Sequence, residues 1–475
     1  MKFDKTTLGV VFLLLVSTAL AVTLLNEPVK IDSEPTGLEV TVYNSDLGVV
    51  KEYRSKFLPA GESNVLYENV ASMIDPTSVR LRSINGNIDV VEQSFLYDIV
   101  SKEKILEKYI DKEITAYQIH GDVKEMVKGT LLSYSGGQII LRDENGEIKI
   151  IAASDFVLPK LPEGLITKPT LQWTIDATEA KNHTLELSYM TGGMSWKADY
   201  VAVTNSDDTK LDLNGWVTVT NNAGTTFKNT ALKLVAGDVR RVSAPSPMRN
   251  DMVYALESKA GGGQFTEQSL FEYHMYDLQR KTTIKNNEQK QISLLSADGV
   301  GIEKEYVYDD IQSWWWYGNT WSDSGEKKVD VKLNFKNSQD NNLGIPLPKG
   351  TVRVFKKDSE GQLQFIGEDS IDHTPKDEVV RLFIGQAFDI VGSRKQMDMN
   401  ILRGWYEYTW EVTFRNHKDT DIVVTSLERT GGDWQIAEEN FVHTKESNNL
   451  IQWKVPVKAN GETVLTYTIR YKRWD

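Results

Sequence analysis

Apolar and polar residues alternate with a period of two along most of this chain, and that alternation predicts β-strands. Val40 and Val42 set against Thr41 and Tyr43 open the first such run. Asn85-Gly86, between Arg80-Leu81-Arg82 and Ile88-Asp89-Val90, reads as a hairpin turn. The first β unit is expected over residues 38–100, after a spacer at 26–37 that holds Pro28 and Pro35. Ser101 is placed to cap a short helix running through Ile110, because Ile105, Leu106 and Tyr109 fall on one helical face. Short strands follow at Glu113 to Ile119, Val127 to Tyr134, Gln138 to Arg142 and Ile148 to Ile151, separated by Gly121, by Gly136-Gly137 and by Asn145-Gly146. Close strands with tight turns predict a small SH3-like barrel, which with the helix fills 101–162.

From Thr170 onward the alternation lengthens. Val329, Val331, Leu333 and Phe335 form one apolar stripe. Tyr406, Tyr408, Trp410, Val412 and Phe414 form a second, and Leu465, Tyr467, Ile469 and Tyr471 a third, after the Asn460-Gly461 turn. Each stripe needs a covering sheet, so the segment 163–475 is expected to hold two immunoglobulin-like β-sandwich units, near 163–325 and 326–475. A weak internal echo supports this: strands end in asparagine at Asn221, Asn337 and Asn416, each at an expected turn. The expected fold is therefore mainly β. A glycine-rich stretch, Arg249 to Phe265 with Gly261-Gly262-Gly263, reads as a mobile excursion between the sandwiches.

The exception to the β pattern is Leu8 to Leu25, an uncharged apolar run preceded by Lys2 and Lys5. Its length predicts a hydrophobic helix able to span a bilayer, whereas Ala19-Leu20-Ala21 supplies the small-x-small pattern of signal-peptide cleavage after about Ala21. Residues 1–25 are thus a membrane anchor or a signal peptide. With the lysines kept inside, both readings export everything after Asn26. The chain is 475 residues long, enough for about three ordinary domains. It has no cysteine, which removes disulfides, thiolate metal sites and a cysteine nucleophile from consideration. A formal net charge of -13 argues against nucleic acid and anionic lipid headgroups as partners of the body. Asn182-His183-Thr184 is a glycosylation sequon, expected on a surface loop.

Chemistry-bearing strings are sparse. Glu368, Asp369, Asp372, His373, Asp377 and Glu378 crowd carboxylates around an imidazole, as acid–base work or a divalent cation would require. On a strand, however, Glu368 and Asp372 face one way and His373 the other, and no H-E-x-x-H spacing is present. His274, between Tyr273 and Tyr276, reads as a partly buried histidine bonded to a backbone carbonyl. There is no G-x-S-x-G elbow, no Walker loop and no dinucleotide glycine pattern, so no cofactor is expected. Trp314, Trp315, Trp316, Tyr317 and Trp321 form the candidate binding cluster, because successive residues of a strand point to opposite faces and cannot all enter one core.

Several longer strings carry a family resemblance. They are Phe271-Glu272-Tyr273-His274-Met275-Tyr276 followed by Arg280 and the Asn286 to Gln291 run, Leu343 to Gly350, Phe365 to Asp369 with His373 to Glu378, Gly385 to Asp389, and Asn416-His417. In these the segment from Leu171 to Asp475 resembles the C-terminal domain of unknown function of exported mucoidy-inhibitor-A-like proteins. Leu58-Pro59-Ala60-Gly61 and Asp75 to Val79 are similar to that family's N-terminal β unit. Bacterial members carry a coiled coil between the two ends, and this chain has the short helix and barrel-like segment there. The resemblance implies an envelope location and a β-sandwich core, and it transfers no catalytic residue. The expected role is a non-catalytic binding or scaffolding module for an envelope protein or polysaccharide. The alternative is an extracellular hydrolase or metal-dependent enzyme built on residues 368–378.

Overall fold

The computed structural model describes residues 28–98, 100–120, 123–135, 137–152, 155–160, 162, 165–237, 239–240, 264–270, 273–309 and 325–472. The apolar run Leu8 to Leu25, the glycine-rich excursion as far as Gly263 and the aromatic cluster from Trp314 to Trp321 lie outside the described residues, and Phe265, expected to close that excursion, is buried at the start of the strand Phe265–Leu270. Among those described, no helix is long and apolar enough to cross a membrane. The protein is mainly β, with its strands gathered into several sheets, as in a β-sandwich. The chain divides into two compact units and passes between them more than once: the first comprises 1–195, 220–232 and 281–288, and the second the remainder.

In the first unit, one sheet has the order Val29–Ile31, Gly61–Glu68, Thr170–Ala177, Ile88–Leu96. Its three-residue member falls inside the stretch expected to be spacer, and pairs in parallel with Val65 to Tyr67. A second sheet runs from residues 227–232 through Gly37–Tyr43, Gly48–Leu58 and Lys181–Thr191 to Arg80–Ser83. Strict alternation of buried and half-exposed positions along Gly37–Tyr43 shows why the sequence adopts this form: Leu38, Val40 and Val42 go inward and the residues between them do not.

Asn85-Gly86 does not close the expected hairpin. Arg80–Ser83 pairs with Lys181–Thr191, whereas Ile88–Leu96 pairs with Thr170–Ala177 in the other sheet. The turn is a corner at which the chain changes sheets. Asn85 fastens it by accepting the Thr184 N–H at 2.8 Å and donating from Nδ2 to the Asn182 carbonyl at 3.0 Å. Gly86 is needed there because a Cβ would stand 2.7 Å from Lys181 Cε and 2.9 Å from His183 Cε1.

The helix forms over Lys102–Lys108, with Ser101 Oγ accepting the Lys104 N–H at 3.3 Å, Glu103 in the first turn and Lys108 in the last. It stops short of the expected end at Ile110, where Asp111 takes a left-handed φ of 62°. Its buried Leu106, with Tyr109, joins Ile114, Leu131, Ile139 and Leu141 in a separate small core. The strands around that core follow the order Ile148–Ile151, Gln138–Arg142, Val123–Ser135, Glu113–His120, Asp155–Val157.

The second unit contains a nine-stranded sheet: Trp434–Glu439, Gly461–Lys472, Trp405–Asn416, Val379–Leu402, Gly325–Lys336, Glu303–Asp309, Ile422–Arg429, Leu450–Val457, His443–Ser447. Two of the sequence stripes lie directly opposite one another, Trp410 on Tyr467 and Val412 on Leu465. What covers them is the far end of their own sheet. Val424, Ile451, Trp453 and Val455 share one buried cluster with Trp410, Phe414 and Tyr467, and the Trp453 and Tyr467 rings stack at 4.4 Å. An ion pair is enclosed in this curl: the Arg394 guanidinium lies 3.8 Å from the Trp410 ring centroid and 2.8 Å from Glu428, which also accepts the Tyr467 hydroxyl.

The asparagine echo is a structural repeat. Asn221 and Asn416 are both buried, and each accepts the N–H two residues on (Ala223, Lys418) and donates to the carbonyl four residues on (Thr225, Thr420). Each also donates across to a second loop, at Lys285 and Lys458, two residues before a left-handed Asn287 or Asn460. Asn337 does the same over a longer loop, accepting from Gly344 and donating to Ile345 and to Pro375, two residues before the left-handed Asp377. A side chain that presents an acceptor and two donors can satisfy two loops at once, and burial makes that satisfaction obligatory.

Candidate functional site

Strand phase places the candidate site on a five-stranded sheet that falls almost wholly in the second unit: Glu288–Gly301, Lys210–Asn221, Met194–Thr204, Gly350–Lys357, Leu363–Ile371. Along Lys210–Asn221 the inward phase is Leu211, Leu213, Gly215, Val217 and Val219. The opposite phase is Asp212, Asn214, Trp216 and Thr218. Trp216 therefore stands on the polar face, 41% exposed, although its neighbours Gly215 and Val217 are buried.

A row of polar side chains crosses all five strands on that face. Gln291 Nε2 donates to Thr218 Oγ1 at 3.4 Å, and the Thr218 hydroxyl donates to Asp199 Oδ2 at 3.1 Å. Arg353 Nη1 reaches Asp199 Oδ1 at 3.5 Å, and Arg353 Nε lies 3.2 Å from Glu368. Lys197 adds a second cation 3.3 Å from Asp199. Two carboxylates thus face two cations, and the row carries no net charge. Most of these groups remain open to water at one side: Lys197, Gln291 and Glu368 are exposed and Arg353 is half-exposed. Near one edge, the Phe355 and Phe365 rings meet edge to face at 5.7 Å, and Phe365 is exposed.

The acidic and histidine string bonds to separate partners. Glu368 belongs to the polar row just described. Asp369 accepts the N–H of Phe383 at 2.8 Å. The Asp372 carbonyl accepts the Thr374 hydroxyl, and His373 Nδ1 accepts the Lys349 N–H at 3.2 Å. Asp377 takes the left-handed turn and donates its N–H to the Asn337 carbonyl at 2.7 Å. Among the described residues, no three His, Asp or Glu side chains are grouped so as to hold a metal ion.

The other sequence candidates divide in the same way. Trp314, Trp315, Trp316, Tyr317 and Trp321 lie outside the described residues. Asn182 is exposed, but on the strand Lys181–Thr191 and not on a loop. His274 Nδ1 contacts Glu267 Oε1 at 2.8 Å, so its partner is a carboxylate and not the backbone carbonyl expected. His443 is held in a comparable way by Glu439, which also accepts Trp453 Nε1–H at 2.8 Å.

A pocket of about 340 Å³ opens in the first unit, lined among others by Glu34, Glu52, Arg54, Tyr189 and Lys228. Its charges already hold one another. Arg54, 2% exposed, donates to the Ile31 and Glu68 carbonyls and to Glu52, while Glu34 and Lys228 pair at 2.7 Å. Burial raises the pKa of Glu52, with the neighbouring Arg54 opposing the rise. This is a structural tie, in which one guanidinium joins three strands.

The sequence pattern did contain a signal for Trp216: an aromatic residue in the polar phase of an otherwise regular alternation is out of place unless the face has a use. Neither comparison with models of protein families nor comparison with curated proteins finds a match for this chain.

Proposed function

We propose that this chain is an exported cell-envelope protein related to the mucoidy-inhibitor-A-like domain of unknown function, and that it is a non-catalytic binding or scaffolding module for an envelope protein or polysaccharide. The observation that carries this reading is Trp216, presented on the polar face of a five-stranded sheet beside a charge-balanced row of hydrogen-bonding side chains. Exposed aromatic rings flanked by fixed polar groups are the usual currency of recognition surfaces. In the 368–378 string, Glu368 pairs with Arg353, Asp369 accepts the Phe383 N–H and His373 Nδ1 accepts the Lys349 N–H, which favours binding over hydrolysis.

Finer features of the strands support the expected small barrel and sandwich units. In the small sheet, a four-strand meander is followed by a short fifth strand, Asp155–Val157, that pairs back onto the first, which is the strand order of an SH3-like barrel. The three asparagine-clamped loop pairs support immunoglobulin-like sandwich units. The run Leu8 to Leu25 would act as anchor or cleaved leader, leaving the β body outside.

The test is cross-linked capture from intact cells with the tagged full chain, analysing both protein and glycan in the eluate, alongside Trp216→Ala. A reproducible partner lost in the variant supports the reading. An empty eluate, or a partner held equally by the variant, refutes it.

A further inference from the structure

Resting on the reading of this sheet face as the binding surface, we infer that its ligand is an uncharged polysaccharide lying across the strands, with one sugar ring stacked on Trp216. Three observations carry the inference. The first is the composition of the row. Gln291, Arg353 and Glu368 present donors and acceptors at the surface, held from beneath by the buried Thr218 and the largely buried Asp199, and a hydroxyl-rich ligand is one that both donates and accepts at every residue. Their mutual hydrogen bonds hold the side chains in place before any ligand arrives, so little rotamer freedom is lost on binding.

The second is charge. Asp199 and Glu368 are balanced by Lys197 and Arg353, so the row that crosses the strands has no excess of either sign with which to select an ionic polymer. The whole chain carries a net charge of -13, which opposes the approach of acidic glycans. The third is Trp216 itself. The apolar face of a pyranose ring matches an exposed indole, and the hydroxyls at its rim match polar neighbours. A peptide would instead add to a sheet edge, because the backbone groups of the interior strands are already spent in the ladder. Four inter-strand gaps at about 4.8 Å give a track of about 19 Å, long enough for several sugar rings, so oligosaccharides should bind more tightly than monosaccharides.

The experiment is affinity electrophoresis of the detergent-solubilised full chain through gels containing dextran, laminarin or mannan, with polygalacturonate as an anionic control. At least one neutral polymer is expected to retard the protein. Trp216→Ala should weaken that retardation about tenfold, and Trp216→Phe should restore part of it. Far-ultraviolet circular dichroism checks that both variants remain folded. No retardation by any neutral polymer, equal retardation of Trp216→Ala, or retardation by polygalacturonate alone would overturn the inference. If no polysaccharide binds but cross-linked capture of a protein still depends on Trp216, the glycan assignment falls and the binding-face reading stands. If neither depends on Trp216, both fall.

Discussion

Asn416 donates from Nδ2 to the carbonyl of Lys458 at 3.0 Å, and by that bond a strand end in one part of the second unit is fastened to a turn forty-two residues further on. The same amide accepts from Lys418 and donates to Thr420, so its polar atoms are used and none faces water. Asn416→Ala would leave the Thr420 carbonyl and the Lys418 N–H without this partner, whereas the Lys458 carbonyl keeps the Gly461 N–H at 3.1 Å. The expected cost is about 3 kcal/mol, read as a lower denaturant midpoint at unchanged slope. Asn416→Asp is expected to cost more at neutral pH, because a carboxylate oxygen then faces two carbonyl oxygens. Part of that loss should return as pH falls and the new acid becomes a donor again.

Arg54 and Glu52 make a second, sharper prediction. Removing the guanidinium by Arg54→Ala leaves the Glu52 carboxylate, 4% exposed, without its cation, and leaves the Ile31 and Glu68 carbonyls without a donor. About 3–5 kcal/mol of stability should be lost, seen in chemical denaturation. If Arg54→Ala unfolds at the wild-type denaturant concentration, the tie described for this pocket is not a structural one.

Acid stability should depend on Glu186. The hydrogen-bonded Arg82 guanidinium, at 2.6 Å, is the main cause that brings its pKa down to about 2, with Lys51 contributing at longer range. A carboxylate whose pKa is depressed by folding contributes stability that is fully present above the unfolded value of about 4.3 and is lost as pH falls toward 2. Arg82→Gln should therefore cost most at pH 7 to 8, where Glu186 is fully ionised, and progressively less as pH falls toward 2, with acid unfolding setting in at higher pH because the variant starts out less stable. A pH titration of circular dichroism for both proteins measures it, and coincident curves would contradict the assignment.

Two left-handed glycines should behave differently. Gly224 has φ of 85°, and a Cβ there would fall 1.6 Å from Ser72 Oγ. Gly404, at the tip of the hairpin between Val379–Leu402 and Trp405–Asn416, has φ of 81° with open space around it. Gly404→Ala should cost only the backbone term of about 1 kcal/mol, whereas Gly224→Ala adds overpacking and should cost about 3 kcal/mol or more. Thermal unfolding of the two variants side by side separates conformational strain from steric exclusion.

Much of the local structure was legible in the residues. The period-two stripes marked strands, the Ser101 cap marked the helix, and the repeated terminal asparagines marked loops that the structure clamps in the same way at Asn221, Asn337 and Asn416. The candidate site was legible only in part. Glu368 was noticed for its neighbours in sequence, but its working neighbour is Arg353, and Trp216 was visible only as an aromatic residue out of phase.

By itself, then, the sequence determined where the longer alternating runs form strands and which side of each is buried, because side-chain direction follows from the backbone repeat alone, whereas the short strand Val29–Ile31 carries too few residues to show a repeat. Pairing was decided by tertiary structure. Every strand offers the same row of N–H and C=O groups, so nothing local told Thr170–Ala177 to enter between Gly61–Glu68 and Ile88–Leu96, or told the chain at Asn85-Gly86 to change sheets instead of turning back. The cover for the Trp410 and Tyr467 stripes likewise came from the far end of their own sheet, since burial of an apolar face rewards any surface that fits, and the twist and length of the strands chose which one did.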